Sequence, residues 1–303
     1  MPRRLTVSII CLTLACTFCM AMRPGAIQAQ ERDSLATDSL RTYVLRTRDG
    51  SVLIGKLIEQ ASDSVIIQMT GGRIVVARSR IAELRVLAPR SLREGEYWIP
   101  DPNDTRLFFA PTGRMLARGD GYFSDTYLLL LNFVGGVTSR FTMGGGFSII
   151  PSDNPQNNIL YITPKFGILQ SERVNVAIGG VAALAGFEGM DDKLRNFGIL
   201  YGVGTVGSPD ASVTLGTGLA YTGNGFAHSP VYMLGGSVRA GRRASLITEN
   251  YFFPSAEDHG LLTYGVRFFG EKLSVDLAFG NLVGSESTFI FPGIPYVAFA
   301  VKF

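Results

Sequence analysis

Few residues in this 303-residue chain could do chemistry. There are two histidines, His228 beside Ser229 and His259 beside Asp258. A histidine next to a hydroxyl or carboxylate is the raw material of acid–base and nucleophilic catalysis. Both fall in segments that read as loops, and their spacing does not bring them to one site. Asp191-Asp192 offers two carboxylates to a cation but matches no calcium-loop spacing. Gly144-Gly145-Gly146 lacks the lysine of a phosphate loop and reads as small residues at a bend or close contact. The sequence therefore predicts no enzyme, no cofactor and no metal site.

More informative are charges placed where an apolar alternation leaves little room for them. Arg239, Glu249, Arg267, Asp276 and Lys302 fall one on each of the last five predicted strands, in the phase opposite the bulky residues and alternating in sign. Antiparallel neighbours would bring opposite charges within reach, and an unpaired charge in a water-poor interior is costly. One reading is a lumen charge ladder that holds the wall of a barrel together. The other is a filter or a proton and ion path. One register is awkward: with Glu249 inward, Thr248 and Asn250 face outward unless a bulge intervenes.

The elements that position these charges follow from composition and periodicity. The N-terminal 1–29 has a basic start (Arg3, Arg4), an apolar run and small residues ending at Ala29, the order of parts in a secretory signal peptide. Cys11, Cys16 and Cys19 all lie inside it, so the mature chain is expected to hold no thiol. Beyond it no apolar run is long enough for a spanning helix. Yet the chain is 46% hydrophobic, 17% charged and carries 36 glycines. Many short alternating segments without a spanning helix fit a membrane β-barrel. A net charge of +3 gives no argument for nucleic acid, and none is expected as a partner.

Residues 30–42 read as a polar tether. Over 43–88, five short alternating runs are separated by Asp49-Gly50, Ala61-Ser62-Asp63 and Gly71-Gly72, which are hairpin signals because glycine tolerates positive φ. Asp49-Gly50-Ser51 followed by Gly55, and Ile74-Val75-Val76 followed by Ile81, resemble SH3-like or Sm-like small barrels. The resemblance implies a five-stranded periplasmic module able to bind a partner protein or the cell wall. Residues 89–105, with Pro89, Pro100, Pro102 and Trp98, read as a linker. Trp98 is either an interfacial anchor at a barrel rim or packed against the small module.

From residue 106 to 303 a hairpin recurs. Tight turns at Ser139-Arg140, Glu172-Arg173, Pro209-Asp210, Arg242-Arg243 and Glu271-Lys272 alternate with longer loops at 151–158, 188–195, 223–229, 254–259 and 284–292. Short turns on one side and long loops on the other are the habit of outer-membrane barrels. Counting back from the last strand makes 122–137 a single inward strand. An earlier outward strand is then required at 106–110, with 114–121 as its loop, giving twelve in all. Phasing sets Phe197, Ile199, Tyr201 and Val203, with Val213, Leu215, Thr217, Leu219 and Tyr221, toward lipid. Gly198, Gly202, Gly204, Gly216 and Gly218 then face the lumen, where they would widen it.

The chain ends on a strand with Val297, Phe299, Val301 and Phe303 on one face and Tyr296, Ala298, Ala300 and Lys302 on the other. It resembles the closing strand of bacterial outer-membrane β-barrels, in which Tyr296, Phe299, Val301 and Phe303 would form the assembly signal read by the barrel-assembly machinery. Residues 107–113, 119–122 and 264–276 extend the resemblance to such envelope proteins. The expected fold is all-β: an antiparallel transmembrane barrel of about twelve strands preceded by the small five-stranded barrel. The expected place is the outer membrane, in contact with its lipid. Function is expected to be a narrow channel or transporter for small solutes, or else a non-conducting envelope scaffold.

Overall fold

The computed structural model describes residues 41–87, 91–93, 96–151, 157–186, 196–254, 259–284 and 291–303, and the structural statements below concern these. The expected signal peptide, most of the expected tether, Asp191, Asp192 and Asp258 lie outside them. The chain divides into two compact units, residues 1–89 and 90–303.

In the first unit β1 (Thr42–Thr47), β2 (Val52–Gln60), β3 (Ser64–Met69), β4 (Gly72–Ala77) and β5 (Ile81–Val86) form one antiparallel sheet in the order β4-β3-β2-β1-β5. A single 3-10 turn, Arg78–Arg80, joins β4 to β5. Leu45, Val65, Ile67 and Val76 make its core. Gly50 takes a φ of +89° in the predicted Asp-Gly turn. There the Thr47 hydroxyl donates to Asp49 Oδ1 at 2.5 Å and the Ser51 N–H at 3.0 Å. These bonds, with the Arg80 guanidinium, hold the Asp49 carboxyl well below the usual carboxylate range.

The second unit starts with a short ladder, β6 (Leu92–Arg93) with β7 (Glu96–Tyr97). The wall follows: β8 (Gly121–Thr126), β9 (Leu130–Thr138), β10 (Phe141–Ser148), β11 (Ile159–Gln170), β12 (Val174–Ala185), β13 (Asn196–Ser208), β14 (Ala211–Thr222), β16 (Val231–Gly241), β17 (Ala244–Phe252), β18 (Gly260–Phe269), β19 (Leu273–Val283) and β20 (Ile294–Lys302), with a two-residue rung, β15 (Gly225–Phe226), on β14. Each strand pairs antiparallel with its neighbours, β13 pairs β14, and β20 pairs β8, so the sheet closes on itself as a twelve-stranded barrel. The tight turns gather at one end and the longer connections at the other, as their lengths predict.

The twelve are not the twelve counted from sequence. Residues 106–110 are not in the wall, and 122–137 is not one strand. It folds back at Tyr127 and Leu128, which take φ of 59° and 60°, to give β8 and β9. That φ region is unusual for bulky residues, so no glycine or asparagine marked the turn. Two errors of one strand cancelled.

The phase of β13 is also reversed. Val203 is buried, while Leu200 and Val206 are exposed and Gly202 and Gly204 face open space. Tyr201 and Val203 fit inside because they pair with the small inward Gly218 and Gly216 of β14. The phase predicted for β14 holds, with Val213 and Leu215 exposed and Ser212 and Thr214 buried. Along β17, Thr248 and Asn250 do face outward, with no bulge between 245 and 252. Their side chains bond to each other and to the wall's own backbone, through Thr263 O and Leu234 O.

β20 carries Tyr296, Ala298 and Ala300 inward and Val297, Val301 and Phe303 outward. At the seam Phe303 N donates to Gly121 O at 2.9 Å and Gly121 N to Phe303 O at 3.3 Å, and the Phe303 ring lies where a side chain on Gly121 would be. β8 is only six residues long, so these bonds are a large share of the closing ladder. Deleting Phe303 is therefore expected to lower the yield of folded barrel, read as the fraction that migrates as the compact form in unheated gels. An unchanged yield would show that the seam closes without it.

Candidate functional site

The lumen is occupied by the chain's own segment just before the wall. Residues 101–119 enter at the short-turn end, rise to mid-barrel, reverse and return to the same end before β8 begins. The reversal is a tight hairpin: Leu107 N donates to Ala110 O at 2.8 Å and Thr112 N to Thr105 O at 3.0 Å, with Arg106 bridging Pro111. The residues expected to be a first wall strand are its tip, and 101–105, expected as linker, lie inside the barrel. Pro111 and Pro102 suit an irregular path better than a ladder.

Apolar burial supplies part of the grip. Leu107, Phe108 and Ala110 pack with Val203, Met233, Ile247, Ala278 and Tyr296 of the wall in one cluster. Tyr296, expected in the assembly signal, has its ring 5.4 Å from Phe108 and 4.9 Å from Phe109. Inward glycines make the room. A side chain on Gly235 would strike Leu107 and one on Gly136 the Ala117 carbonyl, and on the strap itself one on Gly113 would strike Asn175 of β12. The glycines that do face inward thus seat a strap rather than widen a pore.

Charge supplies the rest, and all five ladder residues engage residues 99–120. The strap's irregular backbone has N–H and C=O groups that no sheet satisfies, and burying them without partners is costly. Glu249, 1% exposed, accepts from the N–H of Phe108 at 2.7 Å and of Phe109 and Ala110 at 3.0 Å each. Tyr251 donates to its other oxygen at 2.8 Å. Arg267, also 1% exposed, donates to the carbonyls of Asn103 at 2.8 Å, Arg106 at 3.2 Å and Leu107. The same guanidinium pairs with Asp276 at 2.6 Å and with Asp101 of the strap at 3.2 Å. Asp276, fully buried, takes a second partner from the strap, Arg106, at 3.1 Å.

Only Arg267 and Asp276 pair with each other across neighbouring strands. Arg239 instead donates to the Ile99 carbonyl and lies over the rings of Trp98 at 5.7 Å and Phe269 at 4.5 Å. Trp98 is also stacked by Arg93 at 4.3 Å, so it is clasped between two guanidiniums. Lys302 meets Asp120 at 2.8 Å where the strap joins β8.

Sequence reasoning missed the opposite wall. Lys165 of β11, 6% exposed, donates to the strap carbonyls of Arg114 at 2.7 Å and Thr112 at 3.1 Å. Gln170 donates to Gly113 O at 2.8 Å, and Thr205 accepts from Gly113 N at 2.8 Å while bonded to Thr214. Lys165 follows Pro164 in an otherwise apolar, alternating stretch, and that isolated charge was the available signal.

No protein-family model matches the chain, and no curated protein does. Among solved structures it is similar to a NanC porin, at 7% identity over 60% of this chain and 97% of that one, with a TM-score of 0.38. It is also similar to OmpT of Vibrio cholerae (14% identity, 87% and 95% of the two chains, TM-score 0.33) and to a triple mutant of the Rhodopseudomonas blastica porin (10%, 87% and 97%, 0.32). The architecture rests on the strand pairing described above, not on these likenesses.

Among the described residues no group of histidine, cysteine, aspartate or glutamate is arranged to hold a metal ion. What the arrangement does chemically is to bind a peptide backbone: anionic Glu249 for its N–H groups, cationic Arg267 and Lys165 for its carbonyls.

Proposed function

We propose that this chain is an outer-membrane barrel held shut by its own strap, and that it serves as a non-conducting envelope scaffold. The observation that carries this reading is the double hold of Glu249 on three strap N–H groups and of Arg267 on three strap carbonyls, both side chains 1% exposed. A lumen meant to pass solute has little use for a fully bonded backbone across it.

Placement in a bilayer is supported by the barrel's exterior. Phe133, Ile162, Ile178, Leu215, Leu246, Phe268 and Val297, on strands from β9 round to β20, are all at least 40% exposed. An apolar surface of that extent is intolerable in water and natural in lipid. On this reading the five-stranded module is periplasmic. Its bent antiparallel sheet and single 3-10 turn before the last strand favour the SH3-like reading, and it is the part offered to a periplasmic protein or the cell wall. The outward Phe299, Val301 and Phe303 are the part of the proposed assembly signal that machinery could reach.

Planar-bilayer recording tests the reading. The intact chain is expected to be silent at all voltages, and a chain lacking residues 101–118 to give conductance steps. Steps of equal size from the intact chain would favour the alternative, a narrow channel for small solutes.

A further inference from the structure

The strap does not fill the whole lumen. On the β8–β13 side lies a cavity of about 240 Å³, bounded by Arg106, Phe109 and Pro111 of the strap and by the inner faces of those strands. It reaches Thr126 and Leu130, the pair that flanks the β8–β9 turn. There the wall is lowest: β8 has six residues, β10 eight and β9 nine, against twelve in β11, β12 and β14 and thirteen in β13. At ~3.3 Å per residue and a tilt of ~40°, six residues rise only about 15 Å, well short of an apolar band ~25 Å tall. Leu128 at that rim is 74% exposed, with Phe147 and Ile149 exposed nearby.

Buried polar atoms in the lining of this cavity lack a hydrogen-bond partner among the described residues: Thr142 Oγ1, Asn132 Oδ1 and Arg106 Nε. Thr142 lies near the short-turn end of β10 and is 4% exposed, and Arg106 on the strap is 8% exposed. Toward the loop end lie Leu130, Phe109 and Val181, with Asn132 two residues from Leu130 on β9. A buried donor or acceptor without a partner is expensive. A cavity with the orphaned Thr142 Oγ1 and Arg106 Nε deep inside it and Leu130 and Phe109 nearer its mouth fits a molecule with a polar head and an apolar chain.

Building on the membrane reading above, we propose that this cavity takes the polar head of a single-chain anionic amphiphile, a long-chain fatty acid in type, whose tail leaves over the low β8–β9 wall into the bilayer. The Arg106 Nε and the Thr142 hydroxyl meet the head. Leu130 and Phe109 guide the first part of the chain.

The test uses the full chain in phosphatidylcholine nanodiscs and stearic acid spin-labelled either near its carboxyl or near its methyl end. The carboxyl-end label is expected to show an immobilised spectrum that saturates stoichiometrically with protein, while the methyl-end label stays mobile. Leu130→Trp, which fills the mouth, should abolish the immobilised component, and Thr142→Val should weaken binding several-fold. Asn132→Leu provides a second variant should either fold poorly. Equal mobility of the two labels, or an immobilised component unchanged in Leu130→Trp and Asn132→Leu, would overturn the site and leave a water-filled gap. Failure of the chain to enter nanodiscs would overturn the membrane reading itself.

Discussion

Arg267→Met is expected to destabilise the barrel by about 3–5 kcal/mol, the cost of breaking a buried ion pair by removing one partner. Methionine keeps most of the volume, so the loss is electrostatic. Asp276, fully buried, is left with Arg106 alone, Asp101 loses its wall partner, and the carbonyls of Asn103, Arg106 and Leu107 lose their donor. Urea unfolding from lipid vesicles, followed by gel mobility or tryptophan fluorescence, measures it. The strap should loosen in the same variant, because the guanidinium joins wall to strap. A change under 1 kcal/mol would mean that the network is not what holds the barrel's lower half.

Glu249→Leu is the second large effect, and its sign depends on the strap. In the intact chain three buried N–H groups lose their acceptor, at about 1–3 kcal/mol each before relaxation. A net loss of about 3 kcal/mol is expected, since the tip can swing toward water, where Phe109 is already 55% exposed. In a chain lacking residues 101–118 the same substitution should be neutral or stabilising, because it removes a carboxylate that no longer has backbone to bind. The double-mutant cycle isolates this coupling. Hydrogen exchange reports it residue by residue: the amides of Phe108, Phe109 and Ala110 should lose protection in Glu249→Leu while those of β17 keep theirs. Equal destabilisation with and without the strap would place the role of Glu249 in the wall alone.

Much of the wall was legible in the sequence. Charged or polar pairs such as Glu172-Arg173 and Arg242-Arg243 between alternating runs fixed every short turn, and the longer polar stretches fixed the other end. The Tyr127-Leu128 reversal was not legible, since neither residue type announces a positive φ. The phase of β13 was misread for a related reason. Period-two reading set the bulky phase of each strand toward lipid and the small phase toward the lumen, and so assigned Tyr201 and Val203 outward. The strap gives bulk a dry surface to pack against inside, and Gly216 and Gly218 give it space.

The charges at 239, 249, 267, 276 and 302 were singled out by their phase alone. Their partners were not, because a guanidinium that binds backbone carbonyls leaves no complementary residue type in the sequence. A strap of irregular backbone has no periodicity of its own. It becomes visible only through the wall residues that satisfy it.

Residues 30–303 contain no cysteine, so a pair can be introduced there cleanly. Cysteines replacing Phe108 and Tyr296, whose rings lie 5.4 Å apart, test the strap's position most directly. In the folded protein in membranes a short bifunctional maleimide should join them, giving a looped species of altered mobility on a denaturing gel. Absence of that species, with both single cysteines modified freely by a bulky water-soluble maleimide, would place the strap outside the barrel and contradict a lumen closed by the chain itself.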